Sequence, residues 1–71
     1  MYHYQRLRDM REDRDKTQAE IAAVLGITTQ QYQLYESGKR EIKAHQLAAL
    51  AKFYNVSADY LLGLIDTPRK I

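Results

Sequence analysis

The chain has 71 residues, no cysteine, 45% apolar and 28% charged side chains, enough for one small domain and too little for two or for a disulfide scaffold. Its net charge of +2 comes from Arg69 and Lys70 alone, because the nine basic and nine acidic residues before them cancel; bulk charge therefore argues for no polyanionic partner, and only the placement of charges can. The longest apolar runs, such as Ile21 to Leu25 and Leu47 to Ala51, fall far short of the roughly 20 residues that span a bilayer, and no apolar secretory segment opens the chain, so a cytoplasmic location is expected.

In chain order, Tyr4, Leu7 and Met10 fall at helical spacing and predict a first helix over about 2–13. Thr17 followed by Glu20 is a capping box, which starts a second helix over about 17–25 that stops at Gly26. Thr28 with Gln31 repeats the box for a third helix over about 28–36, with Ile27 and Tyr32 placed as a hydrophobic staple. A fourth helix, about 44–54, follows from Leu47, Leu50, Ala51 and Tyr54, but Ala44 stands where a capping side chain belongs. Ser57 caps a fifth, about 57–63, stapled by Val56 and Leu61. The domain is assigned to 1–65, with a tail over 66–71. Helices this short are marginal alone, so they must share one core, for which Leu7, Met10, Ile21, Leu25, Ile27, Tyr32, Tyr35, Leu47, Leu50, Ala51, Leu61 and Leu64 are the candidates.

The informative segment is TQAEIAAVLGITTQQYQLYESGKR, Thr17 to Arg40. Small Ala22 permits a close helix crossing and Gly26 a tight turn, which makes a helix-turn-helix unit. The residues RLRDMREDRDKTQAEIAAVLGIT, YESGKREI and NVSADYLLGLID, at these separations, resemble the Cro and phage-repressor type of regulator, the Xre family. The resemblance implies an all-α, compact five-helix, lambda-repressor-like domain whose third helix enters the major groove. It also implies a repressor acting as a homodimer on a palindromic double-stranded DNA operator.

Carried over by position, Thr28 caps the recognition helix, and Thr29, Gln30, Gln33 and Leu34 form its base-contacting face. The residue pattern agrees, since Tyr32 and Tyr35 turned inward leave 29, 30, 33 and 34 outside. Gln30 can pair with adenine, and Thr29 or Leu34 can meet a thymine methyl; no Arg or Lys occurs from Thr17 to Glu36 to pair with guanine, so an A·T-rich half-site is expected. Such Thr and Gln residues are otherwise an ordinary solvated surface. Phosphates are assigned to Lys39, Arg40 and Lys43 in the following loop. Gln18 at the start of the second helix joins them, with Thr28 and Gln31; for Gln31 a role in the capping box competes.

By resemblance, Arg11 and Glu36 form a partly buried ion pair between the first and third helices. From the residues alone, Arg11 is equally one of five basic and four acidic solvated charges before Thr17. Asp15 and Lys16 replace the Gly and apolar residue usual in the family, so a loose connection is expected before the second helix; Lys43 and Ala44 replace the residues that commonly open the fourth.

His3 and His45 lack ligand spacing, and Ser37 and Ser57 lack a nucleophile context, so no enzyme, metal, cofactor or small-molecule ligand is expected. The alternative is an interaction module, an antitoxin or adaptor, with Tyr54, Tyr60, Leu64 and Ile65 as its apolar patch; such residues more often complete the core or a homodimer contact. The chain ends just after the fifth helix, so a whole small regulator and the head of a longer one are both open.

Overall fold

A computed structural model of the protein describes residues 4–64. The patch residue Ile65, the tail 66–71, Met1 and the first two residues of the first predicted helix, Tyr2 and His3, lie outside them. The described residues form five helices: α1 (Gln5–Asp13), α2 (Gln18–Leu25), α3 (Thr29–Glu36), α4 (Ala44–Tyr54) and α5 (Ala58–Leu61).

Each helix contributes one apolar stripe to a common core. Leu7 and Met10 of α1, Ile21 and Ala22 of α2, Tyr32 and Tyr35 of α3, Leu50, Ala51 and Tyr54 of α4, and Leu61 of α5 are buried, together with Tyr4, Ile42 and Val56 from the connections. Leu25, Ile27 and Leu47 pack partly buried against them. Two expectations are corrected here. Leu64, a core candidate and also a member of the alternative's patch, is 70% exposed, whereas Tyr54, placed in that patch only under the alternative reading, completes the core at 1% exposed. The cause is a shorter last helix: the chain turns at Gly63 (φ 80°), so Leu64 is carried past the helix end instead of along its buried side.

Three helix starts are fixed by side chains. The Thr17 hydroxyl accepts from the Glu20 amide at 3.1 Å while the Glu20 carboxylate accepts from the Thr17 amide at 2.9 Å. Thr28 and Gln31 do the same at 3.1 and 3.0 Å, and Ser57 accepts from the Tyr60 amide at 3.2 Å. At α4 the cap is Lys43, whose side chain cannot accept, and half a box suffices. The buried Gln46 reaches back so that its carbonyl accepts from the Lys43 amide at 3.0 Å.

The helix ends share one device. After each helix a residue with positive φ lets two amides bond back to orphan carbonyls, one three residues earlier and the next five residues earlier. Gly26 (φ 68°) does so after α2, with the Ile27 amide donating to the Ala22 carbonyl at 3.0 Å. The same pattern follows α3 and α5 at Gly38 and Gly63, but α1 and α4 use Asp15 (φ 54°) and Asn55 (φ 59°). This corrects the looseness expected at Asp15 and Lys16. The Lys16 amide donates to the Arg11 carbonyl at 3.0 Å, and the Lys16 carbonyl accepts from Arg11 Nη1 at 2.9 Å.

Arginines of α1 and its C-terminal end also tie the helices together. Arg6 Nη1 donates to the Tyr60 carbonyl at 3.2 Å with its guanidinium over the Tyr60 ring, 4.2 Å from the centroid. Arg14 Nη2 donates to the Tyr54 carbonyl, the last of α4, also at 3.2 Å. Both place a cation at a helix C-terminus, where the dipole favours it.

Candidate nucleic-acid interface

α2 and α3 are joined by Gly26, Ile27 and Thr28 alone, and the turn is closed at both sides by the α2 end and the Thr28 cap described above. Because Tyr32 and Tyr35 are buried, the periodicity of α3 turns Gln30 and Gln33 to solvent, with Thr29 and Leu34 half-buried beside them. Nothing on that face is charged. Thr28 and Gln31 are exposed, but each is committed to the other through the capping box; the Thr28 hydroxyl proton and the Gln31 amide hydrogens remain free to donate.

Beneath this face lies an ordered polar relay. Arg11 Nε and Nη2 donate to Glu36 Oε2 and Oε1, each at 2.9 Å, with side chains only 13% and 6% exposed. The Glu36 Oε1 atom also accepts from Gln18 Nε2 at 3.3 Å, and Gln18 Oε1 in turn accepts from Gln33 Nε2 at 3.0 Å. The relay thus runs from α1 through α3 and α2 and back to the exposed face of α3. Burial pushes the Glu36 carboxyl up, but the hydrogen bonds to it and the Arg11 charge outweigh burial and hold it below the ordinary carboxylate range. The hydrogen bond to Glu36 raises Arg11 against the opposing effect of burial.

Two tyrosine hydroxyls face this centre from below. The Tyr32 and Tyr54 hydroxyls are buried and make no hydrogen bond of ordinary geometry. Burial raises both, with the Glu36 charge adding to the effect; Tyr54 is pushed up to about 12. Both rings are therefore neutral at physiological pH.

The loop after α3 carries the positive charge. Buried Gly38 and Ile42 pin it at two points and leave Lys39, Arg40, Glu41 and Lys43 exposed. The Leu34 carbonyl accepts from the Lys39 and Arg40 amides at 2.9 and 3.1 Å, so the backbone of both cations is fixed to α3 itself. Lys43 sits apart from them, at the cap of α4. An open cleft of about 360 Å³ adjoins this surface, lined by Arg8, Arg11, Gln18, Gln33, Glu36 and Ser37. Among the described residues no group of His, Asp or Glu side chains is placed to hold a metal ion, and no helix is long and apolar enough to cross a membrane.

Of the sequence-assigned residues, Arg11 with Glu36, Gln18 with Gln33, Thr28 with Gln31, and Leu34 with the backbone of Lys39 and Arg40 are brought into direct contact. The Gln18–Gln33 bond was not anticipated, because it depends on how α2 crosses α3 over a separation of 15 residues. Nothing in the sequence surroundings of Arg8 distinguishes it from the other α1 charges.

A helix-turn-helix family model matches residues 7–61 of the chain. An uncharacterized HTH-type transcriptional regulator of Bacillus subtilis (strain 168), YobD, is 39% identical over 64 residues, covering 90% of this chain and 57% of that protein. The cryptic phage CTXphi transcriptional repressor RstR of Vibrio cholerae is 39% identical over 62 residues, 87% of this chain and 56% of its own length. The HTH-type transcriptional regulator ImmR of Bacillus subtilis (strain 168) is 37% identical over 65 residues, 92% of this chain and 51% of its own. The chain thus spans about half the length of the curated relatives it matches, and no solved structure matches it significantly. The family match across residues 7–61, the two capped helices around Gly26 and the named relatives together lead to one assignment: the chain belongs to the Xre-type helix-turn-helix family of transcriptional regulators, not enzymes.

Proposed function

We propose that the protein is a sequence-specific double-stranded DNA-binding regulator, a repressor acting in the cytoplasm as a homodimer on a palindromic operator. The recognition helices would lie in successive major grooves, about 34 Å apart. α3 reads the groove with Thr29, Gln30, Gln33 and Leu34. Lys39, Arg40 and Lys43, with Gln18, Thr28 and Gln31, hold the flanking phosphates. The observation that carries this reading is the division of labour on the surface: a face of α3 without charge, joined through the Leu34 carbonyl to a loop that presents cations. A neutral face can approach base edges without the cost of desolvating a charge, and the adjacent cations supply the sequence-independent attraction. The printed name of the Vibrio cholerae relative, a transcriptional repressor, supports the sign of regulation.

The relay gives Gln33 a defined role. With one amide hydrogen donated to Gln18 Oε1, Gln33 keeps its carbonyl oxygen and one hydrogen for a base, the donor and acceptor pair that matches adenine. The absence of Arg and Lys between Thr17 and Glu36 leads to an A·T-rich half-site. The test is anisotropy of a labelled duplex, enriched from random DNA by the protein, over a salt series. Affinity should fall with a log–log slope of about 0.9 per neutralised phosphate, and Lys39→Gln and Arg40→Gln should each flatten it by about that amount per protomer. A salt-independent interaction would instead favour the protein-partner reading.

A further inference from the structure

We propose that Arg8 of α1 is an additional phosphate ligand, and that the open cleft between α1, α2 and α3 receives one phosphodiester group of the bound DNA strand. The inference rests on the DNA-binding reading above and extends the contact surface to a helix that the reading leaves out. The cleft, about 360 Å³, is lined by two cations and one anion: Arg8, Arg11 and Glu36. Arg11 and Glu36 neutralise one another. All three Arg11 guanidinium nitrogens donate, to both Glu36 oxygens and the Lys16 carbonyl, and Gln18 donates a further bond to Glu36. The carboxylate is thus compensated, and Arg8 carries the cleft's surplus charge.

Arg8 is also free to move. Its partner is Glu12, one turn along α1, through a contact of 3.3 Å with side chains 59% and 53% exposed. Exposed pairs of this kind contribute little, so exchanging Glu12 for a phosphate, which offers a guanidinium two oxygens in fork geometry, is inexpensive. Gln18 completes the lining: its amide nitrogen donates one hydrogen within the relay and retains a second for an anion. Because Gln33 belongs to both the cleft and the reading face, the phosphate held here lies on the strand beside the base that Gln33 contacts.

The test compares Arg8→Gln, Arg8→Lys, Glu12→Gln and Lys39→Gln with the unaltered protein. Each is titrated with the duplex enriched from random DNA, at several salt concentrations, and mapped by phosphate-ethylation interference. Arg8→Gln should flatten the log–log salt slope by about 0.9 per protomer and abolish the sensitivity of one phosphate per half-site, distinct from any lost with Lys39→Gln. Arg8→Lys should restore the slope, and Glu12→Gln, which releases Arg8, should tighten binding. An unchanged slope and footprint in Arg8→Gln, while Lys39→Gln flattens its own, overturns this proposal and leaves the DNA-binding reading standing. If no duplex is enriched, both fall.

Discussion

At the residue scale, the stability of the reading surface depends on one ion pair. Both Glu36 oxygens are bonded by Arg11 at 2.9 Å in a site that excludes most solvent, so removing one partner orphans a buried charge. Arg11→Met is expected to lower unfolding stability by about 3 to 5 kcal/mol in urea titrations; a loss under about half a kcal/mol would mean that the pair is effectively solvated. The pair also has a pH signature. Because Glu36 is held below the ordinary carboxylate range, its contribution is complete above the unfolded value of about 4.3 and is lost as pH falls through the lower folded one. Acid titration of Glu36→Gln should therefore show a shallower fall below about pH 4.3 than the unaltered chain. The Tyr54 hydroxyl behaves oppositely. Buried without a partner and pushed up to about 12, it stays neutral in the folded chain while the unfolded chain ionises from about pH 10, so stability falls as pH rises through that interval. Tyr54→Phe should cost no more than about 0.5 kcal/mol at neutral pH, since no hydrogen bond is given up, and should flatten the alkaline loss.

At the scale of elements, helix starts were more legible than helix ends. Thr17 with Glu20 and Thr28 with Gln31 act through residues three apart in the chain, so both boxes were visible in the sequence and both occur. α5 ends at Leu61, short of the expected 63, at a turn closed by Gly63, and Asp15 and Asn55 take the place of glycine after α1 and α4. Asn tolerates that conformation, which makes Asn55 a readable sign of where α4 ends. Gln46 as the partial cap of α4, and the clasps from Arg6 and Arg14 to distant carbonyls, depend on packing that no local pattern encodes. Asp15 offers a direct check. Asp15→Gly relieves the left-handed strain but increases the entropy of the unfolded chain; the net expectation is a gain of about 0.5 kcal/mol by chemical denaturation, and a loss would show that the Asp15 side chain contributes something the backbone geometry does not.

For the whole molecule, the charge of +2 proved uninformative and its arrangement decisive. One surface carries a face of α3 without charge, an exposed cationic loop fixed to that helix, and a relay that ends on Gln33. The outward, uncharged face of α3 was legible because Tyr32 and Tyr35 mark its inward side; the relay and the cleft at Arg8 were not, because both arise where three helices meet. The central claim is that neutral α3 side chains read bases while the loop cations read none. Its most direct test is selection from random DNA with the unaltered chain, Gln30→Ala and Lys39→Gln in parallel. The account predicts a palindromic, A·T-rich motif that loses discrimination of about 1 to 3 kcal/mol at one position per half-site in Gln30→Ala and is unchanged in Lys39→Gln. A motif with G·C at the Gln30 position, or one that Gln30→Ala leaves intact, would contradict it.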